Sequence, residues 1–199
     1  LVVVGGLVPS LLVDQESGEA GFERHVGTMD LDIGLTAALL DRGKYREISD
    51  RLRRAGFAPD DNAAGNPTRQ RWKIVAREKV TIDFLMSPTS VDERGGSLRD
   101  LEPDFAAVVA PGLQLAFRDR VLVSLSGQTI AGEDATRDIW VCGAGAFVVL
   151  KALAFGLRGG RRFGGGDLTL GWRSFTFGMR RAAVSCSRVL FALGHTPRL

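Results

Sequence analysis

The sequence predicts an α/β (α+β) fold in which a mixed sheet is flanked by helices, with a helical region toward the C-terminus. Short apolar or alternating segments typical of strands recur from Leu1 to Val141. A helix with a charged outer face interrupts them at Tyr45–Ala55, and a mostly apolar helix follows at Ala144–Leu157. Of the 199 residues, 45% are hydrophobic and 25% charged, which provides enough apolar material for a core.

The first segments predict a strand, a helix, a loop and a second strand. A wholly apolar start favours a buried strand, and a Gly-Gly pair then turns the chain into a short helix whose Pro9 is tolerated in the first turn. A polar stretch is expected to be a loop before the second strand. In order, these segments are Leu1–Val4, Leu7–Val13, Asp14–Thr28 and Met29–Leu35.

The middle of the chain predicts a helix followed by two strands. Apolar residues recur at helical spacing in Tyr45–Ala55, and Gly56 ends this helix. Asp60–Thr68 is a dense cluster of turn-forming residues. Arg69–Val75 and Lys79–Leu85 are then expected to be strands joined by a tight turn, because apolar and polar residues alternate in the second of them.

The remaining segments predict a loop at Met86–Leu101, three short strands and the apolar helix, which contains one charged residue, Lys151. The three strands are Leu113–Phe117, Val121–Leu125 and Ile139–Val141. We therefore expect a core over residues 1–110, additional strands and the lysine-bearing helix over 111–158, and an atypical Gly/Arg-rich region over 159–199.

Charge and cysteine content exclude some classes of protein. The net charge of +3 and a pI of about 9.2 permit a nucleic-acid or nucleotide partner without requiring one. Cys142 and Cys186 lie in apolar surroundings without CxxC spacing, which favours reduced thiols in a cytoplasmic protein. The isolated His25 and His195 add no zinc-ligand spacing. No apolar run is long enough to span a membrane, so no membrane partner is expected.

The most informative motif is T-M-D-L-D-I-G, which carries Asp30 and Asp32 two residues apart. A strand directs alternate side chains to the same face, so both carboxylates emerge side by side. Adjacent carboxylates repel each other unless a cation lies between them, and Mg²⁺ needs only one or two carboxylates. The motif therefore indicates either a Mg²⁺ (or Mn²⁺) site or the solvated polar face of a surface strand.

A third carboxylate and a glycine turn strengthen the metal interpretation. The strand V-T-I-D-F-L contains Asp83, an acid that is costly to bury without a partner. If the strands are neighbours, three carboxylates share one face near Gly5 and Gly6, whose backbone can approach phosphates closely. Such a group can hold two Mg²⁺ ions, which activate a hydroxyl and stabilise leaving pyrophosphate. The alternative for the two glycines is an ordinary tight turn.

These motifs, V-V-V-G-G-L, T-M-D-L-D-I-G and V-T-I-D-F-L, occur in an order that resembles the nucleotidyltransferase fold of the DNA polymerase β superfamily. Within it the chain resembles the AbiEii-type branch, which includes the MenT-like toxins. The helix A-F-V-V-L-K-A-L-A-F is similar to a later helix of that branch whose lysine faces the nucleotide, here Lys151. The resemblance covers roughly Leu1–Leu157.

The resemblance implies a metal-dependent transfer of a nucleoside monophosphate from an NTP to an acceptor hydroxyl. Asp30 and Asp32 would bind the metal, Asp83 would complete the metal site or accept the hydroxyl proton, and Lys151 would neutralise the triphosphate. By the same resemblance the acceptor is a tRNA 3′ end, with a toxin role and a cognate antitoxin partner. The chain departs from the family in a long loop at Asp14–Gly27, and Asp167 is the remaining match for a fourth acidic position.

The other candidates each have a plain structural alternative. Ser10 could contact a phosphate or be an ordinary helix serine, and Lys151 could extend to the surface rather than meet a phosphate. Arg69 and Arg71 alternate on one strand and could bind triphosphate or an RNA backbone, or form a charged sheet edge. Two other functions remain open: transfer to a small hydroxylated molecule such as an antibiotic, and nucleotide binding without catalysis.

Overall fold

A computed structural model describes residues 1–13, 28–36, 42–75, 79–129 and 132–159. The described chain is a mixed α/β structure with a strand-rich mixed sheet and few helices. Its elements are β1 (Val2–Val4), a 3-10 turn (Gly5–Leu7), α1 (Val8–Leu12), β2 (Asp30–Leu35), α2 (Arg42–Arg54), β3 (Ala58–Asp61), β4 (Pro67–Val75), β5 (Lys79–Met86), β6 (Leu98–Glu102), β7 (Phe105–Val109), α3 (Gln114–Arg118), β8 (Arg120–Gln128), β9 (Asp134–Cys142) and α4 (Ala144–Gly159).

The described strands form one nine-stranded sheet in the order β3-β4-β5-β2-β1-β9-β8. Strands β2 and β5 pair in parallel, whereas β1 and β2 pair antiparallel. The end of β5 also pairs with β7 in parallel, and β6 pairs antiparallel with β7. Residues before and after position 110 therefore share the sheet, because β9 pairs with β1.

One face of the sheet contains the main aromatic core. Trp72, Phe84 and Phe105 are fully buried, and the rings of Phe84 and Phe105 meet edge to face with centroids 4.8 Å apart. Leu52 of α2 belongs to the same core, and the guanidinium of Arg53 lies 5.4 Å from the Trp72 ring centroid. The opposite sheet face carries both polar and apolar residues of β5, namely Thr81, Asp83 and Leu85.

Most of the predicted elements are confirmed, and three differences are informative. Leu113–Phe117 was expected to be a strand but belongs to a turn and helix α3; Leu113 and Ala116 are buried there, a spacing of three that fits a helix. Strand β6 begins at Leu98, inside the segment expected to be a loop. Strands β3 and β7 are additional; β3 forms a hairpin with β4, the next strand along the chain, and β7 pairs with both β5 and β6.

Several predictions fall outside the described residues. They concern the loop Asp14–Gly27, His25, Asp167 and the Gly/Arg-rich region beyond residue 159. Within the described ranges, no helix is both long enough and apolar enough to cross a lipid bilayer.

Candidate functional site

The three predicted carboxylates come from the adjacent strands β2 and β5. Asp32 is the register partner of Asp83, and Asp30 is the partner of Thr81. Paired residues of neighbouring strands direct their side chains to the same face. Leu31 is fully buried on the opposite face, as the alternation predicts. The strands are therefore neighbours, which was the condition for a shared face, and the sheet brings all three carboxylates to one face.

Two of these carboxylates accept hydrogen bonds from neighbouring side chains. Arg71 on β4 donates from Nε to Oδ1 of Asp83 at 2.8 Å and from Nη2 to Oδ2 at 2.5 Å, a two-pronged ion pair. The Thr81 hydroxyl donates to Asp30. Asp32 differs, since no hydrogen bond or ion pair reaches its carboxylate from the residues that the structure describes.

The glycine turn after β1 lies directly against Asp32. Val4 is the register partner of Asp32, so the chain reaches Gly5 beside that carboxylate. Gly5 has a φ of +79°, and a Cβ there would overlap the Asp32 side chain. Only glycine meets both requirements, so the position is explained by close approach to Asp32 as well as by the turn.

The environment of Asp32 raises its pKa from 3.8 to about 6. Burial is the largest cause, followed by repulsion from Asp83 and, more weakly, from Asp30. Attraction by Lys151 and Arg71 offsets part of the shift. The fold therefore holds a carboxylate where its negative charge is poorly compensated, which is an arrangement typical of functional sites.

A cavity of about 910 Å³ opens beside this carboxylate. Asp32 and Gly5 lie in its lining, and so does Lys151 of α4, which therefore faces the same space as the predicted site. Much of the remaining wall is apolar, with Leu85 from β5 and Phe147 and Leu150 from α4. A space of this size, with an apolar wall and a few charged groups, is suited to a small organic ligand.

The other predicted site residues lie outside the cavity lining. A Cβ at Gly6 would overlap Thr28, so Gly6 serves packing between the turn and the start of β2. Ser10 lies on α1. Arg69 pairs with Asp100 of β6, with 2.9 Å between Nη1 and Oδ1. Arg69 and Arg71 are thus each paired with a carboxylate.

Two residues of this region were not found from the sequence. Arg94 lines the cavity from the loop between β5 and β6. Asp119, from the turn before β8, accepts a hydrogen bond from the Ala146 N–H at 2.8 Å and so caps the start of α4, the helix that carries Lys151. Neither belongs to a local motif, since each acts on residues that are distant in sequence.

The carboxylates of Asp30, Asp32 and Asp83 are the candidate ligands of the predicted metal. The described residues contain no group of three or more His, Cys, Asp or Glu side chains arranged to hold a metal ion. Asp30 and Asp32 share a face, and among the described residues no cationic side chain forms an ion pair with either of them. Repulsion from Asp83 and Asp30 adds to burial in raising the pKa of Asp32. One Mg²⁺ needs no more than these two carboxylates plus water and phosphate oxygens.

Comparison of the chain with protein-family models, curated proteins and solved structures found no match in any of the three. The functional interpretation therefore depends on the geometry of the site and on the resemblance of its motifs.

Proposed function

We propose that this chain is a metal-dependent nucleotidyltransferase, which moves a nucleoside monophosphate from an NTP to an acceptor hydroxyl. One observation carries the proposal: Asp32 lies between a glycine turn and Asp83, in a cavity that Lys151 also lines. The proposal is also supported by the sheet, in which β1 pairs antiparallel and β5 parallel with β2, so that the glycine turn, Asp32 and Asp83 are neighbours.

In this reaction the acceptor oxygen forms a bond to the α-phosphorus while the bond to the β-phosphate oxygen breaks and pyrophosphate leaves. Mg²⁺ bound by Asp30 and Asp32 would neutralise charge on the triphosphate. Lys151 contributes a positive charge to the phosphates from the cavity wall. Asp83 would complete the metal site or accept the hydroxyl proton, and either role would require Arg71 to share the carboxylate oxygens that it holds.

The acceptor is proposed to be a tRNA 3′ end, with a cognate antitoxin as partner, and this step depends on the family resemblance alone. A small hydroxylated acceptor is the alternative. RNA binding should weaken steeply with salt, since it depends on phosphate contacts, whereas binding of a neutral small molecule should not.

The test is incubation of the protein with each α-labelled NTP, Mg²⁺ and total tRNA. The Asp30→Asn/Asp32→Asn double variant is expected to lose transfer by about 10³-fold, because an electrostatic group of the site is removed. A matched control with the same change in charge is Asp92→Asn/Asp134→Asn, since both residues are exposed and distant from the motif. Equal transfer by the site variant and the wild type would reject the proposal.

A second candidate is nucleotide binding without turnover. It is favoured by the Arg71–Asp83 ion pair, which occupies both oxygens of one predicted catalytic carboxylate. Calorimetric binding of NTP, with no pyrophosphate released over hours with any acceptor, would select this candidate over the enzyme.

A further inference from the structure

The cavity contains a second cation, Arg94, which the sequence motifs did not identify. Its backbone is firmly attached to the sheet. The Arg94 carbonyl accepts hydrogen bonds from both the N–H and the hydroxyl of Ser97, at 3.1 and 2.7 Å. The Gly96 N–H donates to the Val109 carbonyl of β7 at 2.8 Å. The position of Arg94 at the cavity wall is therefore fixed by the fold.

The guanidinium of Arg94 has no carboxylate partner among the described residues. The neighbouring Glu93 is occupied, since it accepts hydrogen bonds from Arg99 Nε and from the Thr89 N–H, both at 2.8 Å. Nearby arginines behave differently: Arg69 pairs with Asp100. Arg94 is exposed and belongs to the cavity lining, and a guanidinium without a carboxylate partner at such a position is available to bind an anion.

Among the described residues, the charged groups of the lining are Asp32, Arg94 and Lys151, so two cations and one carboxylate line the described part of the cavity. We propose that Arg94 and Lys151 together bind the polyphosphate of the nucleotide, which makes the cavity selective for triphosphates over monophosphates. This inference rests on the proposed function and adds a specificity residue to it. Two separated cations contact an extended polyphosphate at more points than a single phosphate group allows.

Binding of inorganic tripolyphosphate and of orthophosphate, measured by calorimetry in EDTA, tests the proposal without turnover. Arg94→Ala is expected to weaken tripolyphosphate binding about tenfold or more, and Arg94→Lys less, because lysine keeps the charge but loses the planar donor pair. The control is Arg54→Ala, which removes one exposed positive charge from the end of α2. The thermal midpoints of all variants verify folding.

The proposal is overturned if Arg94→Ala binds tripolyphosphate as tightly as the wild type does. It is also overturned if Arg54→Ala weakens tripolyphosphate binding as much as Arg94→Ala does. The same holds if wild type does not prefer tripolyphosphate to orthophosphate. The transfer assay separates this inference from the proposed function. If Arg94→Ala transfers nucleotide with an unchanged KM for NTP, the role of Arg94 is rejected and the proposed function stands. If tripolyphosphate binding depends on Arg94 but the wild type transfers no nucleotide, the proposed enzyme activity is rejected and the role of Arg94 stands.

Discussion

Asp60 and Asp32 are two shielded carboxylates of one sheet, and their surroundings are opposite. Asp60 on β3 is 5% exposed and pairs with Lys73 at 3.0 Å and Lys79 at 2.9 Å. Burial alone would raise its pKa, but hydrogen bonds from both lysines lower the pKa to about 2. Asp32 has carboxylates as its nearest charged neighbours on the sheet, and its pKa is raised to about 6.

The difference separates a carboxylate that stabilises the folded state, Asp60, from one whose charge destabilises it, Asp32. A paired acid such as Asp60 lowers the free energy of the native state, whereas a crowded acid such as Asp32 raises it. Natural folds retain such a cost where a ligand or cation compensates it. The contrast can be tested by removing each charge in turn.

The largest expected effect on stability comes from Asp60→Asn. We expect the free energy of unfolding to fall by about 2–3 kcal/mol, because two lysines lose a buried charged partner. This is less than for a fully buried ion pair, since the Lys79 side chain is 52% exposed and remains solvated. Urea denaturation at pH 7 measures the change.

The matched control is Asp61→Asn, which removes the neighbouring carboxylate that pairs with the same Lys73 at 2.7 Å. Its side chain is 50% exposed, so we expect a loss below about 1 kcal/mol. Equal losses in the free energy of unfolding for the two variants would mean that the burial of Asp60 does not strengthen its ion pairs.

Asp32→Asn is expected to have the opposite sign. In EDTA at pH 8 the variant should be more stable than wild type by about 1–2 kcal/mol, because it removes a shielded negative charge that neighbouring carboxylates repel. The same variant should lose nucleotidyl transfer. A gain in stability together with a loss of activity is the result that distinguishes a functional residue from a structural one.

The pH dependence of this gain follows from the direction of the pKa shift. The native state holds a proton on Asp32 up to about pH 6, whereas an unfolded aspartate titrates near 3.8. The destabilisation is therefore complete above about pH 6 and disappears as the pH falls toward 3.8. Denaturation curves of the wild type and Asp32→Asn, measured at pH 8, 6 and 4, should converge as the pH falls. A constant difference in stability would show that the charge of Asp32 does not cause the difference.

The sequence was sufficient for the features that depend on local pattern. The alternation of T-M-D-L-D-I-G and V-T-I-D-F-L predicted β2 and β5, and the three carboxylates were expected to share a face if these strands were neighbours, which they are. Pairings between distant residues were not predictable in this way. Asp60 was expected to be part of a turn cluster, but it lies on β3 and forms ion pairs with lysines from two other strands.

The same limit applies to the site. Local pattern selected Asp32 and Gly5, and the family resemblance selected Lys151; all three line the cavity. Arg94 lies in a segment with no periodicity, and only the pairing of β6 with β7 brings it to the cavity. The ion pair of Arg71 with Asp83 was missed because strand register cannot be read from one sequence.

Asp119 provides a third case, with a smaller expected effect than Asp60 or Asp32. Its carboxylate is compensated by a backbone N–H rather than by lysines, since it accepts the Ala146 hydrogen bond at the start of α4. A Cβ at Gly143 would overlap Asp119, so the glycine permits this approach. Asp119→Ala should lower the free energy of unfolding by about 1 kcal/mol, as for the loss of a helix cap.

The Asp119→Ala variant also tests whether a residue that stabilises α4 affects nucleotide binding through Lys151 on the same helix. Because α4 carries Lys151, loosening its first turn should raise the KM for NTP while leaving kcat within about twofold. Asp60→Asn, although more destabilising, should leave the KM unchanged, since Asp60 lies on β3 and away from the cavity lining. A KM that follows stability in both variants would show that Asp119 acts through general unfolding and not through the position of α4.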